Sequence, residues 1–249
     1  MYSAWSNVRG FVRLSFCDWP GRNVCVLFMG GCSLKCPTCH NGDIAWSPES
    51  FPCAERTSIE RYIRSKKRWL DGIVISGGEP LETKGFAAML RDMSELDLPI
   101  KIDTNGMRPH LVEALLHDGL ADAFFVDVKG PYHKYPALTG NQVTPAEAKA
   151  NLEHLFFLAE RSPQSFVFRQ TGVPILTQDD VIESRSYLPQ GFSLTMQKYV
   201  PPRRLHAKAN PETRRMPGNV VSGSHRPGHT QGAEDQRSQG SFAGEAACA

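Results

Sequence analysis

Residues 24–41 read VCVLFMGGCSLKCPTCHN. Val24 to Met29 is a short apolar run rich in β-branched and aromatic side chains, the pattern of a strand buried on both faces. It ends at Gly30-Gly31 and is followed at once by Cys32, Cys36 and Cys39, spaced C-x3-C-x2-C. Three thiols on one loop can wrap a metal centre, and thiolates select soft or borderline metals such as zinc and iron–sulfur clusters. A structural zinc site needs four ligands, and His40, adjoining Cys39, is poorly placed to close a tetrahedron with it. Cys17, Cys25 and Cys53 could be recruited, but none belongs to a second C-x2-C pair. Three thiolates on four irons would instead leave one iron open to a ligand.

Outward from this stretch, short apolar runs recur: Gly72 to Ile75, Ile100 to Ile102, Ala123 to Val126, Phe166 to Phe168 and Phe192 to Leu194. Between them lie helical patterns. Phe86, Met89, Leu90 and Met93 follow i, i+3, i+4, i+7 spacing, as do Leu152, Leu155, Phe156 and Ala159. Thr144-Pro145 opens the latter helix, with Thr144 as cap and Pro145 at its first position. Strand–helix alternation implies parallel strands joined by right-handed crossovers. Six strands fit either a partial barrel or an open doubly wound sheet. In both, ligands sit at the carboxyl ends of the strands.

Those ends carry the informative side chains. The second run leads into Ser76-Gly77-Gly78-Glu79-Pro80, with Gly77 placed 38 residues after Cys39. Two glycines let the backbone approach a ligand closely, and the Glu79 carboxylate can accept hydrogen bonds from an ammonium group. The third run ends in Asp103-Thr104-Asn105-Gly106 and the fourth in Asp127-Val128-Lys129. Charged residues at successive strand ends converge on one pocket, where Lys129 can pair with a carboxylate and Asp103 and Asp127 can gather a cation.

C-x3-C-x2-C after the first strand of a βα repeat, with GGEP after the second, resembles the radical S-adenosylmethionine (SAM) superfamily. The resemblance implies a partial (β/α)6 barrel in which Cys32, Cys36 and Cys39 bind a [4Fe–4S] cluster and SAM chelates its open iron. Gly77, Gly78, Glu79 and Pro80 would then form the SAM amino-group motif. DTNG followed by D-x-K resembles the glycyl radical activating branch. There Asp103, Thr104 and Asp127 would build a monovalent cation site beside SAM, Lys129 would contact SAM, and Asn105 belongs to the same pocket. Ser15 to Gly21 and Cys39-His40-Asn41 are similar to activators of anaerobic ribonucleotide reductase, so that glycyl radical enzyme is the expected partner, with an electron donor such as flavodoxin or ferredoxin. The similarity covers roughly residues 10 to 200. One position departs from it: the family places an aromatic residue before the third cysteine to line the adenine site, and here Thr38 stands there. His40 or Phe168 would have to supply that packing.

Composition bounds the alternatives. The chain has 249 residues, 41% of them hydrophobic, so one large domain with a sizeable core is affordable. A net charge of +2 does not advertise nucleic acid or an anionic membrane. No apolar run approaches the roughly 20 residues of a membrane helix, and the start lacks the order of a signal peptide. Seven cysteines, five of them between Cys17 and Cys39, suit metal chemistry in the cytoplasm better than an oxidised secreted scaffold. Residues 1–202 read as the core domain, and 203–249, poor in apolar side chains, as a disordered tail. His206, His225 and His229 of that tail are too widely spaced for a metal site. Trp46, Trp69, Phe124, Phe125, Phe156 and Phe157 read as core, and Arg64 to Arg68 as the solvated face of a helix. No phosphate-binding loop or Gly-x-Ser-x-Gly elbow is present. The competing functions are a radical SAM enzyme acting on a small molecule, such as in deazapurine synthesis, and a non-enzymatic zinc- or cluster-binding interaction protein.

Overall fold

The structure is a computed structural model that describes residues 3–202. The expected tail at 203–249, with its three histidines and Cys248, lies outside the described residues. A single seven-stranded sheet runs in chain order: β1 (Val8–Ser15), β2 (Val24–Met29), β3 (Gly72–Gly77), β4 (Ile100–Thr104), β5 (Ala123–Asp127), β6 (Phe166–Thr171) and β7 (Leu194–Gln197). All neighbours from β2 to β7 pair in parallel, and β1 pairs antiparallel with β2. A doubly wound sheet reverses its strand order at a switch point, and this one does not. Crossovers of one hand that always advance in one direction put the helices on one face. That is the partial-barrel alternative.

The helices are α1 (Gly42–Trp46), α2 (Arg56–Lys66), α3 (Phe86–Ser94), α4 (Pro109–His117), α5 (Tyr135–Thr139), α6 (Pro145–Arg161) and α7 (Gln178–Ser186). The periodic sets expected to face the core do so: Phe86, Met89, Leu90 and Met93 of α3, and Leu152, Leu155, Phe156 and Ala159 of α6, are buried. Thr144 caps α6 through a reciprocal box with Glu147, whose N–H it accepts at 3.2 Å while the Glu147 carboxylate accepts from the Thr144 N–H at 2.8 Å.

Alternation along the strands divides the interior in two. Cys25, Leu27 and Met29 of β2 face the helices, in one large cluster with Ile59, Ile63, Met89 and Leu90. Val24 and Val26 face the concave side, where with Val74, Ala123, Phe125 and Trp19 they plug the barrel near the start of the strands. Toward the strand ends the concave face turns polar, with Asp103, Asp127 and Arg169, and Lys101 reaches Asp103 from the level of Val74 and Ala123. That switch positions the site.

β1 escaped the strand count because its burial is patchy and it carries Gly10, Arg9 and Arg13 rather than an apolar run. β7 begins at Leu194, not Phe192, because Phe192 closes a turn by donating its N–H to Pro189 O at 3.1 Å. Trp69 and Phe157 are not core: they are 74% and 51% exposed. Phe168 is fully buried on the helix side, its ring against Phe156 at 5.0 Å and Phe192 at 5.5 Å, so it cannot reach the concave face. No helix among the described residues is long and apolar enough to cross a membrane.

Candidate functional site

The cysteine loop and the loop after β3 lie against each other, backbone on backbone. Gly78 N–H donates to Met29 O and Glu79 N–H to Gly31 O, both at 2.8 Å. A Cβ on Gly78 would lie 2.0 Å from Gly31 O, and one on Gly77, whose φ is +117°, would lie 2.4 Å from Met29 N. These glycines are therefore required first by contact with the cysteine loop, before any ligand is considered. The loop is pinned elsewhere as well. Asn41 Nδ2 donates to Gly77 O at 2.8 Å, Trp46 Nε1 to Leu34 O at 2.9 Å, and Ser33 N–H to Glu82 Oε2 at 2.7 Å.

A third support is α5. Lys35 N–H donates to Thr139 O at 3.0 Å, and Gly140, with φ +67°, brings its backbone so close that a Cβ would lie 2.4 Å from Lys35 O. At the other end of α5 the buried Tyr135 hydroxyl accepts the Lys129 N–H at 3.1 Å. One short helix thus fixes the cysteine loop relative to Lys129.

Glu79 is 1% exposed and holds the turn after β4. Its carboxylate accepts from Thr104 Oγ1 at 2.9 Å, Asn105 N–H at 2.7 Å and Leu81 N–H at 3.2 Å. Burial pushes its pKa from 4.5 up to about 7, against these hydrogen bonds, which favour the ionised form. Asn105 in turn points Nδ2 at Cys32 Sγ, 3.9 Å away. Pro80 is buried and opens a turn of 3-10 helix, behind the pocket wall rather than on it.

On the concave face the register builds a ladder of charges. Asp127 of β5 sits opposite Arg169 of β6, and Lys101 and Asp103 are i, i+2 on β4. Lys101 Nζ meets Asp103 Oδ1 at 2.5 Å and lies 4.1 Å from the Phe125 ring centroid. Arg169 bridges the two aspartates, at 3.3 Å to Asp103 Oδ1 and 2.6 Å to Asp127 Oδ1, and Lys129 Nζ meets Asp127 Oδ2 at 2.9 Å. Burial alone would raise the Asp127 pKa, but Arg169 and Lys129 hold it well below the ordinary carboxylate range. Burial likewise opposes the charge on Lys129, and the neighbouring Asp127 outweighs it and raises the pKa above the ordinary value.

A cavity of about 260 Å³ gathers these elements at the carboxyl ends of the strands. Cys32, Cys36, Cys39, Gly77, Gly78, Asp103, Thr104, Asn105, Asp127 and Lys129 all line it, whereas Glu79 and Pro80 do not. Arg169, Thr171 and Gln197 line it too and were missed in the sequence, although the strand-end rule that picked out Asp103 and Asp127 applies equally to β6 and β7. Cys25 is buried on the helix side and Cys53 bonds through Sγ to Trp5 O, so neither lines the cavity. Cys17 follows Ser15, which pairs with Val24 at the opposite end of β2. Three thiols, with no fourth cysteine among the described residues lining the cavity, suit a cluster that keeps one iron open. Burial pushes the Cys32 thiol up to about 12, so a bound metal has to stabilise its thiolate.

Residues 26–188 match the family described as the Radical SAM superfamily. MJ1227 of Methanocaldococcus jannaschii, provisionally named a glycyl-radical enzyme activating enzyme, is 32% identical over 177 residues, covering 71% of this chain and 72% of its own. The pyruvate formate-lyase-activating enzyme of Streptococcus mutans is 40% identical over 83 residues, 31% of each chain. Among solved structures, Streptococcus suis SuiB bound to precursor peptide SuiA superposes with a TM-score of 0.51 at 17% identity, over 71% of this chain and 39% of SuiB. At that identity the likeness speaks for the fold alone. The chain is thus homologous to glycyl-radical enzyme activating enzymes and spans about two-fifths of SuiB.

Two outcomes follow from the geometry. Gly78→Ala drives a methyl into Gly31 O, so it should cost at least the roughly 1–3 kcal/mol of an overpacked interior and lower the iron retained per chain, read by denaturant unfolding and iron analysis. Glu79, with its folded pKa raised, favours folding fully below the ordinary carboxylate range, and this contribution is lost as pH rises through about 7. Stability measured from pH 5 to 8 should therefore fall less steeply in Glu79→Gln than in the parent. An equal slope would mean that Glu79 is ionised throughout.

Proposed function

Because the chain belongs to the radical SAM superfamily, we propose that it is a glycyl radical activating enzyme that cleaves SAM at a [4Fe–4S] cluster held by Cys32, Cys36 and Cys39. The observation that carries this reading is the convergence of the three thiols, the Gly77-Gly78 backbone and Lys129 on one cavity. Bound there, the cluster would supply one electron to the SAM sulfonium, and the carbon–sulfur cleavage that follows yields the radical that takes hydrogen from a substrate.

The chain's own residues position and shield. Lys129, kept cationic by Asp127, pairs with the SAM carboxylate, a charge-assisted hydrogen bond worth about 1.5–3 kcal/mol. Glu79, behind the cavity wall, braces the turn that carries Thr104 and Asn105 and so sets the wall against which the SAM amino group would lie. Leu34, Leu138, Val128 and Val173 line the same cavity and exclude water. With Thr38 too small to stack on adenine, His40, which lines the cavity and whose ring lies 6.5 Å from that of Tyr199, is the planar face offered beside it. A monovalent cation at Asp103, Thr104 and Asp127 would share both aspartates with Lys101, Lys129 and Arg169, and the Thr104 hydroxyl with Glu79. It would therefore bind weakly.

The hydrogen donor in this reading is a glycine of a partner enzyme, with anaerobic ribonucleoside-triphosphate reductase as the first candidate. Flavodoxin or ferredoxin would supply the electron, and the reducing cytoplasm would keep the thiols available. Electron paramagnetic resonance on a mixture of the reduced enzyme, SAM and that reductase should show a glycyl radical. SAM cleavage without any protein radical would point to a small-molecule substrate instead. Lys129→Ala should keep its iron and bind SAM roughly 10- to 150-fold more weakly. Unchanged affinity on titration of SAM into the cluster-loaded variant would remove Lys129 from the pocket assignment.

A further inference from the structure

The outer helical layer brings together a group of imidazole and carboxylate side chains, remote from the cysteine loop in the chain. His110 and Glu113 stand three residues apart on α4, which puts them on one face of that helix. His154 of α6 faces them, its Nε2 3.0 Å from Glu113 Oε2 and its ring edge-on to His110 at 4.7 Å. One donor atom from each of the three lies within 4.8 Å of the other two.

We propose that His110, Glu113 and His154 form a binding site for a divalent transition-metal ion of the zinc class. The donor set decides the class: two imidazoles and one carboxylate suit zinc, whereas magnesium and calcium prefer oxygen. Bonds of about 2.0–2.2 Å to a shared ion require the donors to stand roughly 3.5 Å apart. Small rotations of side chains at the helix surface bring this about: the His154–Glu113 pair, 3.0 Å apart, opens by about half an ångström and His110 moves in from within 4.8 Å. Glu113 is half exposed and His154 only 22% exposed, so the ion would sit at the helix surface with a fourth position open to water.

The consequence is mechanical. α4 follows β4, which ends in Asp103 and Thr104, and α6 leads into β6, which carries Arg169. An ion shared between the two helices ties together, from outside, the strands that build the charge ladder. This site is independent of the reading of the cavity, and its test does not use SAM.

The test is zinc binding to the anaerobic, cluster-loaded full chain, in competition with a chromophoric chelator. One zinc ion per chain should bind beyond the iron and raise the thermal midpoint. His110→Ala and His154→Ala should each weaken that binding at least as much as loss of an outer-shell partner does, about 10- to 100-fold, with iron content unchanged. Cobalt in place of zinc should give the visible spectrum of a nitrogen- and oxygen-ligated ion without thiolate charge transfer. The proposal is overturned if no saturable zinc binds. It also fails if the double variant His110→Ala/His154→Ala binds zinc as tightly as the parent, or if cobalt shows thiolate ligation.

Discussion

Gly78 and Gly31 touch so closely that no side chain fits between them, and most of the site is arranged around that contact. With the Gly78 N–H on Met29 O and the Glu79 N–H on Gly31 O, the loop after β3 clasps the beginning of the cysteine loop as β2 ends. The clasp sets where Cys32 starts. Asn105 then reaches Cys32 from the turn that Glu79 holds, and α5 fixes Lys35 from the other side. Backbone contacts thus help place the thiol triad.

The charge ladder is the second constraint. Lys101, Asp103, Arg169, Asp127 and Lys129 lie on a concave face that is otherwise apolar below them, and unpaired charges there would be costly. Parallel register solves this by setting Asp127 opposite Arg169, so each aspartate meets two cations and Arg169 meets two carboxylates. The arrangement keeps Lys129 charged, hydrogen-bonded and close to Cys36 and Cys39. It also leaves Lys129 oriented at the cavity wall before any ligand arrives.

Much of this could be read from residue order, and what could not has physical causes. The parallel strands, α3, α6 and the Thr144 cap follow from periodicity, because a buried strand or helix face leaves a regular apolar trace. Cys32, Gly77, Asp103, Asp127 and Lys129 were legible because they stand at the carboxyl ends of such strands. β1 was not, since an edge strand half open to solvent has no apolar run to betray it. Trp69 and Phe157 misled because aromatic identity does not report exposure. Gly140 and Tyr135 gave no signal, as their roles are backbone contacts with segments far away in the chain. Glu79 was assigned to the ligand alone, yet its three protein hydrogen bonds make it a brace as well.

The account rests on the thiol triad holding a four-iron cluster that cleaves SAM. The most direct measurement is to purify the chain anaerobically, determine iron, sulfide and zinc, then reduce it with dithionite in the presence of SAM and quantify 5′-deoxyadenosine and methionine. The account expects iron and sulfide in equal amounts, near the four of each in such a cluster, and both products, lost together when Cys32, Cys36 or Cys39 is replaced by Ala. A chain without sulfide, whose zinc is released by those same replacements and which leaves SAM intact, would contradict it.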